Sequence, residues 1–370
     1  MITFDVDAHV EESPETWKYL EGEFAGQRPI PITVEDRPSL LGQNSFWLID
    51  GAVVPRVSGK GLSLFGTPTT SRHAREKPFS IGSQELTDIE ARLKDLDRFG
   101  IETQIVNSTL LNATLSPDIE FECALCRAYN TWIHEVCAQT SGRLRWNTMV
   151  RLTHIPWAIE ELRRVAQLGA AAAEIHGMAG DRLLDSRDFD PFWAEAERLN
   201  MPVYVHIGFE SPTFTSLFQN LYMAIAFSNR ASLLMGFLAI VGTGVAERFP
   251  RLRFAFAEAG VEWTPWLVHV MDSYWRMGQG IFGNQPEFGH SRTRPSEILR
   301  DGNINMVCEE DEDLREPLKI LGEDRIMLGS DIPHSESHPN SFQKFQERSD
   351  LSDKVKAKIL GQNALRFFPR

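Results

Sequence analysis

Short apolar runs alternate with helix-period segments along most of this 370-residue chain, and that rhythm limits its fold more than any other feature. The candidate strands are Ile2–His9, Thr103–Asn107, Trp146–Val150, Ala171–Ile175, Val203–His206, Arg253–Phe256, Ile304–Cys308 and Ile326–Leu328. Helical patterns lie between them, at Pro117–Thr140, Pro156–Leu168, Pro191–Leu199, Ser211–Ala246, Ser296–Leu299, Leu314–Leu321 and Ser352–Phe367. The clearest runs Glu85–Phe99, with Leu86, Ile89, Leu93, Leu96 and Phe99 on one stripe and Gly100 as a stop. Strands that alternate with helices predict an α/β fold, a parallel (β/α)8 TIM barrel, over an antiparallel one. A barrel of this kind accommodates the whole of 1–370 as one domain. One stretch, 20–82, breaks the rhythm: it is rich in Pro and Gly and has no long periodic segment. It predicts a cap inserted after strand 1, at the C-terminal face of the barrel.

Two apolar strands end in potential metal ligands, and a third runs into one just beyond its end. The first is Asp5-Val-Asp7-Ala-His9, the second Pro202-Val-Tyr-Val-His206, and the third leads into Gly329-Ser-Asp331. Asp7 and His9 are two apart on a strand and so share a face, with Asp5 expected one layer deeper. A parallel barrel brings strand ends together, so Asp7, His9, His206 and Asp331 are the expected ligands of one divalent cation. Two carboxylates and two imidazoles suit Zn²⁺, Mn²⁺ or Fe²⁺ better than Mg²⁺, and Zn²⁺ is the first expectation. The blander roles are a core or capping histidine for His206 and a turn or N-cap aspartate for Asp331.

Other residues sit where they could join this centre. Glu258 ends strand 6 and could move protons or orient a ligand, and Glu210 is a weaker candidate. His334 follows Asp331 by three residues and could face substrate or solvent. His176, at the end of strand 4, is read as a substrate-side residue or a packed histidine. The cap carries Arg56, Lys60, Arg72, His73, Arg75 and Lys77. They are either a solvated basic patch or, with Arg56 foremost, the group that binds a substrate carboxylate.

Composition narrows the partners. A net charge of −13 argues against binding a phosphate backbone. Four cysteines are too few for a disulfide scaffold, and Cys123-x-x-Cys126 lies in a helical pattern, where buried thiols are expected ahead of a zinc or redox pair. With no basic or apolar leader before the first strand, a cytoplasmic protein is expected. Ser211–Ala246 carries a single charge, Arg230, yet holds too many polar residues for a membrane span. It is expected to be buried, either in the core or between the subunits of a homodimer or larger homo-oligomer.

Taken together these motifs resemble the amidohydrolase superfamily, in the branch related to aminocarboxymuconate-semialdehyde decarboxylase. The likeness is carried by Asp5-Val-Asp7-Ala-His9, by Arg92 to Gln104, by Phe189-Asp-Pro-Phe-Trp193 through His206, by Phe249-Pro-Arg-Leu252, by Gly329-Ser-Asp331-Ile-Pro-His334 and by Asn363 to Phe368. The resemblance implies a metal-dependent barrel enzyme, either a decarboxylase of small aromatic or unsaturated acids or a hydrolase or hydratase. Two positions depart from the family: Asp7 stands where His or Glu is common, and Glu258 where a histidine with an acid–base role is usual. The leading expectation is non-oxidative decarboxylation, with Asp331 or Glu258 as the proton donor. The alternatives are hydrolysis of an ester, lactone or amide, and a ligand-binding relative without catalysis.

Overall fold

In the computed structural model, eight parallel strands run in chain order around a barrel. They are β1 (Phe4–Val10), β2 (Thr103–Ser108), β3 (Leu144–Met149), β4 (Ala172–His176), β5 (Val203–His206), β6 (Phe254–Phe256), β7 (Ile304–Cys308) and β8 (Ile326–Leu328). The structure describes residues 1–370 apart from 36, 38, 39, 41, 64–65, 284–287, 336 and 369–370. Six of these positions fall in the 20–82 segment, and that part of the expected cap lies outside the described residues.

The two faces of each strand have different partners, as a period of two requires. Ala173, Ile175, Val203, Val205, Phe254 and Phe256 join the large outer core against the helices. Phe4, Val6, Ile105, Ala172, Tyr204, Ala255 and Met327 fill the barrel interior. Inward rows therefore run Ala172, Glu174, His176 on β4 and Tyr204, His206 on β5, which lifts polar side chains to the C-terminal end. The barrel closes between β1 and the residues just past β8. Asp331 N donates to Asp7 O at 2.8 Å, and His9 N donates to Ile332 O at 2.6 Å. Closure itself thus brings two predicted ligands, 324 positions apart, side by side.

Four sequence expectations need correcting. The register of β1 shifts between Asp5 and Ala8. Asp5 is therefore not in the row below Asp7; its carboxylate accepts from Gln104 Nε2 at 2.7 Å and from Ser330 Oγ at 2.6 Å. The helix expected from Glu85 starts at Ile89, because Asp88 caps it by accepting from Ala91 N. Leu86 packs from the preceding turn at φ 54° instead of from the stripe. A helix at Thr264–Phe282 had no sequence signal, since Trp266, Tyr274, Met277 and Ile281 leave its solvent side apolar and blur the two-faced pattern. The closing segment is not one regular helix, for a π-helical turn at Lys358–Gln362 interrupts it.

The apolar stretch folds as Pro212–Leu217 and then as one helical rod, Leu221–Gly242, with π-helical turns at Ala224–Ser228 and Leu238–Gly242. By length and composition alone the rod could cross a membrane, but more than half of it is buried here. Two glycines seat it across the barrel mouth. A Cβ on Gly177, just past β4, would lie 2.0 Å from Ser232 O, and one on Gly236 would lie 2.7 Å from Gly177 Cα. Only bare backbone allows that approach.

The cap segment forms a three-stranded antiparallel sheet (Ile30–Thr33, Ser45–Ile49, Ala52–Val54) and short helices at Arg72–Glu76 and Ile81–Gln84. Glu11, at the base of the segment, pairs with Lys77 at 2.6 Å.

Candidate metal centre

Backbone carbonyls set the tautomers of His9 and His206. His9 Nδ1 lies 3.1 Å from Ser108 O, and His206 Nδ1 lies 2.9 Å from Ile207 O. A carbonyl only accepts, so each Nδ1 carries the proton and each Nε2 presents a lone pair. Both rings are fully buried. Neither Nε2 makes an aligned hydrogen bond to the described residues.

What faces those nitrogens is carboxylate. Glu258 Oε2 is 2.7 Å from His206 Nε2 and 3.3 Å from His9 Nε2. Asp7 Oδ1 is 3.5 Å from His206 Nε2, and Asp331 Oδ1 is 3.4 Å from His9 Nε2. Lone pairs and carboxylates crowded together out of water are unfavourable unless a cation sits among them. With a proton as that cation, His206 is held well above its ordinary pKa: burial opposes the charge, and Glu258 and Asp7 outweigh it. Glu258 is held well below the usual carboxylate range, against its own burial, chiefly by His206. A divalent ion fits the same donor set better, since Asp7, His9, His206 and Glu258 converge within 4.8 Å of one another. An overlapping group joins His9 and Glu258 to Asp331 and His334.

The sequence reading puts Glu258 beside the expected ligands, and the geometry groups it with Asp7, His9 and His206. Glu258 and Asp331 both adopt left-handed backbone, φ 63° and φ 57°, just past β6 and β8. Such conformations are costly for residues with a Cβ and gather at functional sites. Here they turn both carboxylates into the barrel mouth.

Surrounding residues hold this cluster in place. Asn107 Nδ2 donates to Asp7 Oδ1 at 2.8 Å, and Asn147 Nδ2 donates to Asn107 Oδ1 at 2.8 Å. Buried Arg92 donates to His9 O at 3.0 Å and to Gln104 Oε1 at 2.9 Å, which ties the helix after the cap to the strand that carries the ligands. His334 spans outward: its Nδ1 is 2.6 Å from Asp331 Oδ1, and its Nε2 is 2.8 Å from Thr109 Oγ1. Its ring stacks on His9 at 4.1 Å.

Two cavities flank the centre. One, about 220 Å³, is lined by Asp7, Glu258, Asp331, Glu309 and Arg230 among others. The other, about 290 Å³, lies under the cap and is lined by His334, Thr109, Lys77, His73 and Gln43 among others. Arg230 lines the first cavity, a position the sequence reading did not assign, although its standing as the single charge in an apolar stretch was the available signal. Arg56 is brought to neither lining; it is exposed and donates to Lys60 O at 2.8 Å. His176 is buried behind the site, with Nδ1 2.9 Å from Glu210 Oε2. Burial holds its pKa below the ordinary value, against the pull of Glu210.

Glu174 lies one inward step below His176, fully buried, with neither carboxylate oxygen hydrogen-bonded to the described residues. Burial raises its pKa from 4.5 to about 7, partly offset by His206 and His9. Folding of the metal-free protein therefore takes up a proton between those values, and stability falls as pH rises through that window. Glu174→Gln removes this dependence. Its stability relative to wild type is expected to grow between pH 4.5 and pH 7, to on the order of 3 kcal/mol above that. Urea titrations of EDTA-treated protein at several pH values check this, and a difference that does not vary with pH would contradict it.

Comparison with known proteins places this geometry. The sequence model of the family described as Amidohydrolase matches residues 87–370. The chain is 25% identical over 300 residues to a gamma-resorcylate decarboxylase of Rhodococcus jostii, an alignment covering 76% of this chain and 88% of that protein. Its fold is similar to that of an amidohydrolase from Mycobacterium avium subsp. paratuberculosis (TM-score 0.73, 22% identity, 99% of this chain and 98% of that one). It is also similar to that of a 5-carboxyvanillate decarboxylase from Novosphingobium aromaticivorans (TM-score 0.72, 18% identity, 99% and 96%), solved with bound manganese and a methoxy-hydroxy-nitrobenzoic acid.

Proposed function

From the premise that the chain belongs to the amidohydrolase family, we propose that it is a metal-dependent carboxy-lyase that removes CO₂ from a small aromatic or unsaturated acid. The observation that carries this reading is the buried donor cluster opening onto a cavity that also presents Arg230. The decarboxylases among its relatives support it.

His9, His206, Asp7 and Glu258 would hold one divalent ion, with Asp331 at its edge. When bound, that ion supplies positive charge that draws in a substrate carboxylate and favours negative charge developing beside it. Three carboxylates with two imidazoles form a harder, more oxygen-rich set than closed zinc sites use, so we propose Mn²⁺ ahead of the Zn²⁺ expected from the sequence.

The side chains account for the rest. Arg230 orients the acid by charge-assisted hydrogen bonds. Loss of CO₂ breaks the bond between the carboxyl carbon and its neighbour, leaves the electron pair on that neighbour, and requires one proton there. In this reading Asp331 delivers it. His334, 2.6 Å away, restores the proton, and Thr109 links His334 to the cavity under the cap.

Product analysis tests the reading. One CO₂ per turnover with no solvent oxygen in the product is expected. Incorporation of ¹⁸O from labelled water would replace decarboxylation with hydrolysis. Arg230→Met is expected to raise KM about 10- to 100-fold with a smaller fall in kcat. Unchanged KM would remove Arg230 from carboxylate binding.

We also propose that a second copy covers part of the 211–246 segment, where Leu217, Tyr222, Met223 and Phe227 are exposed. A monomeric mass by light scattering would exclude it. The four cysteines are buried and unpaired, which supports a reducing, cytoplasmic setting.

A further inference from the structure

We propose that the cavity under the cap is a second substrate lobe, in which Gln43 accepts a hydrogen bond from a neutral donor, a hydroxyl or an N–H, at the end of the acid remote from its carboxylate. The inference rests on the decarboxylase reading only for the identity of the reacting group.

Gln43 is 7% exposed, and its Oε1 is buried with no hydrogen-bond partner among the described residues. It lines the larger cavity, across from Thr109 and His334. A buried acceptor without a donor is unfavourable, and a polar cavity beside it is where the donor belongs. The lobe carries little net charge. Lys77 and Glu11 close on each other at 2.6 Å and are nearly buried, so each neutralises the other. The remaining polar lining adds the hydroxyls of Thr67, Ser71, Thr109 and Ser335 and the rings of His334, held by Asp331 and Thr109, and of His73, 3.8 Å from Glu76. A charged group would meet no unpaired countercharge there, whereas a hydroxyl or N–H would meet acceptors.

The lobe is built to keep its shape. Gly66 has φ 73°, and a Cβ there would lie 2.6 Å from Leu110 Cδ1 and 2.9 Å from Leu110 Cα, so the cap lies directly on the loop after β2. His334 connects the lobe to the reacting centre, through Thr109 on one side and Asp331 on the other. With the second cavity on the Arg230 side, the site has room at both ends of the substrate. A single ring with one carboxylate would occupy only one of them.

The test compares three acids: salicylate, salicylate with a hydroxyethyl arm para to its hydroxyl, and salicylate with a propyl arm there. Each is measured on the metal-loaded full chain by calorimetry and by CO₂ release. The hydroxyethyl acid is expected to bind at least about tenfold tighter than the propyl acid. Gln43→Leu is expected to bring that ratio within about twofold, and Gln43→Glu, which keeps an acceptor, to restore most of it. A wild-type ratio near one, or a ratio unaltered in Gln43→Leu, would overturn the lobe and leave the cavity to water. Binding and turnover separate the two proposals. A Gln43-dependent ratio without CO₂ release sustains the lobe and counts against decarboxylation of salicylate-type acids, and CO₂ release without the ratio overturns the lobe and sustains decarboxylation.

Discussion

His206→Ala is expected to leave the protein folded, to bind less than a tenth as much divalent metal as wild type, and to lose at least about 10³-fold in kcat/KM. His206 sits at the centre of the donor set, facing Glu258 at 2.7 Å and Asp7 at 3.5 Å. Its Nδ1 is committed to Ile207 O, so Nε2 is the nitrogen it offers to the donor set. Truncation also leaves two buried carboxylates with fewer cations between them, and those charges then repel. The fold should survive, because the core around β5 rests on Val203, Tyr204 and Val205. Elemental analysis after dialysis, circular dichroism and CO₂ release read the three expectations separately. Full metal content with normal turnover would remove His206 from the centre and, with it, the proposed reaction.

The second large effect is expected of Glu258→Gln. Read from sequence alone, the residue is a proton carrier, so the variant would lose rate and keep metal. The geometry predicts otherwise. One Glu258 oxygen faces both bare imidazole nitrogens, the position of a ligand atom. Gln keeps the shape but removes the charge and places an amide in the same space. Metal affinity is expected to fall at least about tenfold and kcat/KM about 10²- to 10³-fold, with part of the rate recovered at high metal concentration. Recovery by metal is the discriminating result. Full metal content with a rate that added metal does not restore would return Glu258 to proton transfer and make Asp331 the fourth ligand.

The two outcomes bear on different parts of the proposal. The first asks whether the metal centre exists, and the second asks how its carboxylates divide the labour. In the proposal Asp331 is left for proton delivery because His334 Nδ1 holds its Oδ1 at 2.6 Å, closer than His9 Nε2 at 3.4 Å. The equivalent support for Glu258 is missing among the described residues, since its nearest partners are the two ligand histidines.

Much of the barrel was legible before any coordinates. Val203–His206, Ile304–Cys308 and Ile326–Leu328 match the observed strands to the residue. Their apolar runs are short, bounded and buried on both faces, the pattern a parallel strand needs. The Asp5 placement failed because a register shift inside β1 breaks the alternation on which it relied. The Thr264–Phe282 helix was missed because its exposed side keeps apolar residues such as Trp266 and Ile281, so no polar face marked it. Arg56, foremost among the cap's basic residues in sequence, lines neither cavity because residue type says which groups can bind an anion, and only the path of the chain says which of them reach it.

By itself the sequence determined the fold class and the identities of Asp7, His9, His206 and Asp331 as residues at strand ends. Those are local properties, set by periodicity and by position relative to an apolar run. The tertiary structure alone decided that Glu258 joins the donors, that Arg230 looks into the cavity and that Gln43 is buried beneath the cap with an unmet acceptor. Each of these depends on contacts between residues far apart in the chain, as does the closure bond from Asp331 to Asp7. Strand pattern encodes that a barrel forms, but the twist and stagger with which it closes set which side chains share its mouth.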